Sequence, residues 1–261
     1  MTMFSKPKLE GQHAIVTGGG RGIGAAIATA LGALGARVTV MGRDKAVLEK
    51  HAATLPNNAH AIVCDVTDQA SVKEAFDRAR KAAGMDALIL VNNAGQAKSE
   101  KFTNTSLELW QQMLAVNLTS AYLCTQQVLP AMIAAQRGRI VNIASTAGVK
   151  AAPRMTAYSA AKHGVVGLTR SLALETVRFG ITVNAVCPGY TDTDMTERGV
   201  QELMEAKKIS RDEARAMILR VIPRGALTTP GEVASTVVWL CGSDASGITG
   251  QAIVVSGGEI T

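Results

Sequence analysis

Apolar and polar positions along this chain fall into two alternating rhythms. Short, nearly continuous apolar runs predict buried strands at Ala14-Ile15-Val16, Arg37 to Met41, Ala61 to Cys64, Ala87 to Val91, Arg139 to Ile143, Ile181 to Val186 and Ala252 to Val255. The run from Ala87 to Val91 has no polar alternation, as a strand covered on both faces requires. Longer stretches with helical character lie between the runs, at Ala25 to Leu31, Lys45 to Leu55, Ser71 to Ala83, Leu107 to Ile133 and Thr156 to Arg178. Pro56 closes the second of these, and Ala161, Val165, Leu168 and Leu172 form one stripe on the last. No element is assigned between Thr229 and Ala252. Alternating strands and helices with short connections predict a single α/β domain, a doubly wound parallel sheet with helices on both faces. The 261 residues suffice for one such domain with a substantial core.

Ligands of such sheets bind beyond the carboxyl ends of the strands, so the polar residues that follow each strand belong together. After the first strand comes Thr17-Gly18-Gly19-Gly20-Arg21-Gly22-Ile23-Gly24, followed by an alanine-rich helix. Gly18, Gly22 and Gly24 let the backbone turn tightly and approach a diphosphate closely. The helix N-terminus then offers free N–H groups and a partial positive charge. An ordinary glycine-rich turn needs neither flank, and the strand–turn–helix context therefore points to a dinucleotide. Asp65-Val66, Asn92-Asn93-Ala94-Gly95, Ala144-Ser145 and Pro188 to Thr193 follow later strands and converge on the same edge.

Tyr158-Ser159-Ala160-Ala161-Lys162 places a phenol and an ammonium four residues apart, on one helix face and about 5–6 Å apart at Cβ. A phenol with a pKa near 10 is a poor base at neutral pH, and a neighbouring positive charge favours its ionised form. Alone, this spacing reads as a surface pair. Combined with the glycine turn, Asn92-Asn93-Ala94-Gly95 and Ser145, it carries more.

Together these motifs resemble the short-chain dehydrogenase/reductase family, of the 3-oxoacyl reductase or ketoreductase kind, over nearly the whole chain. The resemblance implies a Rossmann-like fold in which Ser145 hydrogen-bonds the substrate carbonyl and Tyr158 transfers the proton. Lys162 would hold the nicotinamide ribose and lower the tyrosine pKa, and Asn117 would anchor a proton-relay water. Gly18, Arg21, Gly22, Ile23 and Gly24 would hold the cofactor's phosphates, while Asp65 and Val66 would meet its adenine. Asn92, Ala94 and Gly95 would form the cofactor-proximal loop, and Pro188, Gly189, Thr191 and Thr193 the segment around the nicotinamide carboxamide. The family position for an acid that accepts from the ribose falls on Gly42, followed by Arg43. With Arg21 this matches members that take NADP(H), so NADP(H) is preferred and NAD(H) possible. Asp44 is the competing ribose acid, but it is expected to N-cap the helix beginning at Lys45. The chain departs from the family's Asp-Gly-Gly at Ser256-Gly257-Gly258. Surplus apolar residues on the two long helices, such as Leu123, Val128, Leu168 and Leu172, suggest pairing across a two-fold axis in a homotetramer or homodimer.

The net charge of +6 raises nucleic acid as a partner, but the basic residues are scattered and aromatics make up only 3%. No nucleic acid, membrane or metal partner is expected. Met1 to Lys8 lacks the apolar core of a signal peptide, and Cys64, Cys124, Cys187 and Cys241 read as separate free thiols, which suits the cytoplasm. Substrate choice falls to the 193–229 segment, expected to form two amphipathic helices as a lid. Its Lys207, Lys208, Arg211, Arg215, Arg220 and Arg224 form either a solvated face or a rim for a phosphate. Ser145-Thr146-Ala147-Gly148 lacks the histidine of hydroxybutyrate dehydrogenases, which disfavours free hydroxybutyrate. The expected activity is NADPH-dependent reduction of a ketone, best a 3-oxoacyl thioester on coenzyme A or a carrier protein. A dehydrogenase of a cyclic or other secondary alcohol remains open. So does a non-catalytic cofactor sensor, against which the intact Ser145, Tyr158 and Lys162 argue.

Overall fold

Each of the seven expected strands is present in the computed structural model, which describes residues 8–260: β1 (His13–Thr17), β2 (Arg37–Gly42), β3 (His60–Val63), β4 (Ala87–Asn92), β5 (Gly138–Ile143), β6 (Ile181–Pro188) and β7 (Ala252–Val255). The stretch Met1 to Pro7, which bears on the signal-peptide reading, lies outside the described residues. All neighbouring strands run parallel, in the order β3-β2-β1-β4-β5-β6-β7.

The helices are α1 (Gly22–Ala33), α2 (Lys45–Ala52), α3 (Gln69–Ala83), α4 (Leu107–Leu114), α5 (Ser120–Ala134), α6 (Thr156–Thr176), α7 (Asp194–Lys207), α8 (Arg211–Leu219) and α9 (Pro230–Cys241). Asp44 caps α2 by accepting from the Val47 N–H at 3.2 Å, as expected. α2 stops at Ala52, before Leu55, because its last turn tightens into bonds from Thr54 to His51 and from Leu55 to Ala52. The long helical stretch from Leu107 is interrupted by a π-helical turn over Ala115–Thr119.

One apolar layer joins α1, α2 and α9 to the sheet through Ile27, Leu31, Leu48, Val237 and Leu240. The other joins α3, α5 and α6 through Val72, Phe76, Met132 and Leu172. Fully burying an aliphatic side chain of this size contributes about 1.5–3 kcal/mol. α9 was not anticipated. Thr229 and Glu232 form a reciprocal capping box with Pro230 in the first turn, a signal legible in Thr229-Pro230-Gly231-Glu232. Val128 and Leu172 are buried in this chain's own core, so they do not argue for pairing between subunits. The outward large apolar residues of α5 and α6 are instead Tyr122 and Leu174. α7 and α8 form the two expected helices of the 193–229 segment and share a small apolar cluster of their own around Val200, Ala214 and Ile218.

His13, at the start of β1, is 1% exposed. Its Nδ1 donates to the Met85 carbonyl at 3.2 Å, and in the neutral ring that burial favours its Nε2 accepts from the Thr39 hydroxyl at 2.8 Å. Burial lowers its pKa to about 4. The unfolded chain binds this proton near pH 6.5 and the folded chain does not, so the stabilisation is whole above 6.5 and lost as pH falls toward 4. Melting curves should show about 2–3 kcal/mol more destabilisation between pH 7 and 4.5 in the wild type than in His13→Gln. Identical pH dependence in the two proteins would exclude His13 as the group responsible.

Candidate active site

The order of the sheet makes β1 and β4 neighbours, and the chain leaves them toward helices on opposite faces. A crevice opens beyond their carboxyl ends. Two side chains clasp its floor. The Thr17 hydroxyl accepts from the N–H groups of Asn93 and Ala94 at 3.0 and 3.1 Å. The Asn93 amide donates to the carbonyls of Thr17 and Gly18 at 2.9 and 3.1 Å. Gly18 sits at φ +63°, and a Cβ on Gly24 would collide with the Gly18 carbonyl and the Asn93 amide. Both glycines are therefore demanded by the clasp and by the seating of α1 on it.

α2, α3, α4, α8 and α9 are capped by the side chains of Asp44, Asp68, Ser106, Ser210 and Thr229. α1 has neither a capping side chain nor an acid in its first turn. Its orphan N–H groups and dipole face the crevice and suit a diphosphate. A cavity of about 740 Å³ runs from Arg21, Arg43 and Asp65 at one end to Ser145, Tyr158 and Lys162 at the other. The residues present thus fit a dinucleotide.

At the reacting end Tyr158 and Lys162 are nearly buried on α6. Lys162 Nζ donates to the Ile143 carbonyl at 2.8 Å and lies 5.7 Å from the centre of the Tyr158 ring. Burial lowers its pKa to about 8. Burial also raises the Tyr158 phenol, although the hydrogen bond with Ser145 pulls it partly back. Lys162 is expected to lower the phenol, but desolvation prevails. Tyr158 is accordingly a protonated acid at neutral pH. Ser145 Oγ accepts from the Ala147 N–H at 3.1 Å, which leaves its O–H to face the phenol.

The cavity is lined by every site residue named from the sequence except Asn92. That assignment is corrected. Asn92 ends β4 with its side chain buried between the layers, donating to Asn142 at 2.8 Å and Thr125 at 3.2 Å. Strand alternation turns its neighbour Asn93 toward the crevice instead. Asp65 spends one oxygen on the backbone and hydroxyl of Thr67, which lowers its pKa. Arg21 approaches Asp44 at 3.5 Å in an exposed pair, so Asp44 both caps α2 and holds a guanidinium beside the glycine turn.

Asn117 lies in the π-helical turn, where both ends of its side-chain amide are bonded to protein. Its Oδ1 accepts from the Gln96 N–H at 3.2 Å, and its Nδ2 donates to the carbonyls of Gln96 and Met113 at 2.9 and 3.0 Å. The side chain thus clamps the loop after β4. Arg198 of α7 lines the cavity and was missed by sequence reasoning, because helical spacing alone did not show which side of α7 faces inward. Arg211 and Arg224, by contrast, are paired with Glu197 and Glu232.

A family model described as short chain dehydrogenase matches residues 12–203. The chain is 43% identical over 251 residues to the granaticin polyketide synthase putative ketoacyl reductase 1 of Streptomyces violaceoruber, covering 94% of this chain and 92% of that protein. It is 40% identical over 256 residues to the 3-oxoacyl-acyl-carrier-protein reductase of Aquifex aeolicus, covering 96% and 98%. A crystal structure of a variant actinorhodin polyketide ketoreductase with NADPH superposes with a TM-score of 0.91 at 38% identity, over 95% of this chain and 97% of that one.

Removing the Asn117 clamp strands two backbone groups of Gln96. Asn117→Ala should therefore lose about 1–3 kcal/mol in denaturant unfolding. An unchanged midpoint would show that the loop holds its place without Asn117.

Proposed function

The chain belongs to the short chain dehydrogenase family, and we propose that it reduces the ketone of a 3-oxoacyl thioester, carried on coenzyme A or a carrier protein, with NADPH. What carries this reading is the presence of Ser145, Tyr158 and Lys162 in one cavity with the glycine turn. Ketoacyl reductases that match nearly the whole chain support the substrate class, and the NADPH of the ketoreductase structure supports the cofactor. When bound, NADPH supplies the hydride. Arg21 and Arg43 hold its 2′-phosphate, α1 its diphosphate, and Asp65 and Val66 its adenine. Pro188, Gly189, Thr191 and Thr193 lie at its nicotinamide end.

The remaining work falls to the catalytic side chains. Ser145 donates to the substrate oxygen. Tyr158, kept protonated by burial, delivers its proton to that oxygen, and Lys162 orients the ribose and supplies positive charge beside the phenol. A raised phenol suits reduction, where the tyrosine must begin as the acid. Segment 193–229 serves as a lid that excludes water over the reacting carbon. The protein works in the cytoplasm as a homodimer or homotetramer.

Turnover should follow these roles. Acetoacetyl thioesters should oxidise NADPH faster than cyclic or simple secondary alcohols reduce NADP⁺, and Tyr158→Phe should lose at least about a hundredfold in kcat. If the alcohols prove the better substrates, the thioester assignment fails. kcat/KM for reduction should decline as pH rises through about 8, where Lys162 loses its charge.

The double variant Arg21→Ala/Arg43→Ala should raise the KM for NADPH at least about tenfold with little effect on NADH. A wild-type preference for NADH would overturn the cofactor assignment.

A further inference from the structure

The 193–229 segment carries many cations, and their surroundings divide them. Arg211 is bound to Glu197 at 2.9 Å. Arg224 joins Glu232 and the Leu227 carbonyl, closing the end of the segment. Lys207, Lys208, Arg215 and Arg220 do not line the active cavity, whereas Arg198 does.

Arg198 has no carboxylate within ion-pair distance among the described residues. Its neighbours one turn to either side are otherwise placed. Asp194, in the first turn of α7 where the helix dipole favours an acid, lines the same cavity but forms no ion pair with Arg198. Glu202 reaches across to Lys98 of the loop after β4, at 3.8 Å. That ion pair places the same face of α7 opposite the loop, and the uncharged Gln96 of that loop lines the cavity together with Arg198. Deeper in, Lys162 is engaged by the Ile143 carbonyl. Besides Arg21 and Arg43, the cavity therefore has one exposed guanidinium in its lining, on α7, apart from Ser145, Tyr158 and Lys162 and suited to planar, two-point recognition of an oxyanion.

We infer that Arg198 is a specificity residue that binds an anionic group carried by the substrate beyond its reacting carbonyl, the phosphate on the pantetheine arm of the thioester. This deepens the 3-oxoacyl thioester reading and rests on it. A carboxylate on a free oxo acid presents the same oxygens, and the test separates the two sources.

Acetoacetyl-coenzyme A, its neutral N-acetylcysteamine analogue and free acetoacetate are compared as substrates of wild type, Arg198→Gln and Arg198→Lys. Phosphopantetheine and pantetheine are titrated calorimetrically into the enzyme loaded with NADP⁺. The preference for the coenzyme A thioester over the neutral one should fall at least about tenfold in Arg198→Gln, with partial recovery in Arg198→Lys. The gain in affinity from the phosphate of phosphopantetheine should shrink in parallel. If neither the rate preference nor that affinity gain changes, Arg198 does not bind the arm and the inference falls. It falls equally if Arg198→Gln raises the KM for NADPH and leaves the preference intact. A loss confined to acetoacetate would overturn the phosphate in favour of a carboxylate. If no thioester is turned over but phosphopantetheine still binds through Arg198, the anion site stands and the thioester-reductase reading fails.

Discussion

The active cavity depends on how the backbone is satisfied where β1 and β4 part. At that point the sheet ladder ends, and the freed polar groups need partners or water. Thr17 and Asn93 meet the need reciprocally, through two amide donors to one hydroxyl and one side-chain amide to two carbonyls. The loop after β4 and the glycine turn after β1 are thereby locked to each other. What stays open toward the crevice is the first turn of α1, the group best suited to an anion. The glycines matter because a side chain at Gly18 or Gly24 would occupy the space of the clasp itself.

Burial then sets the chemistry at the other end of the cavity. Tyr158 and Lys162 are both removed from water, and desolvation pushes each toward its neutral form. A neutral phenol is a proton donor, and a lysine moved down to about 8 stays charged through neutral pH. The supporting layer is polar as well as apolar. Asn92 bonds Asn142, and Asn142 bonds Thr169 on α6 at 2.9 Å, so a chain of hydrogen-bonded amides and hydroxyls ties the centre of the sheet to α6. Such a ladder holds direction as well as distance, which apolar packing alone specifies less sharply. α7 and α8 stand apart from this rigid centre. Their small cluster packs the two helices on each other, and the exposed ion pair Lys98–Glu202 ties α7 to the loop after β4.

The sequence by itself determined the seven strands, the turn between β1 and α1, and that Ser145, Tyr158 and Lys162 meet in one cavity. Strands covered on both faces need continuous apolar runs, and glycine spacing and the Tyr158–Lys162 interval are local quantities. α9 was missed because Val233, Thr236, Val237 and Val238 make it a poor intrinsic helix former. Its form comes from a capping box and from packing on α1. Only tertiary structure decided between Asn92 and Asn93, because strand register and the layer behind each face choose which amide meets the cavity. The same holds for Val128 and Leu172, whose second apolar side meets the chain's own core, and for Arg198, singled out among the cations of the 193–229 segment by how α7 lies against the crevice. Periodicity along the chain encodes what a segment becomes. Which way a side chain points, and which partner it meets, depends on residues distant in sequence, and packing alone brings those together.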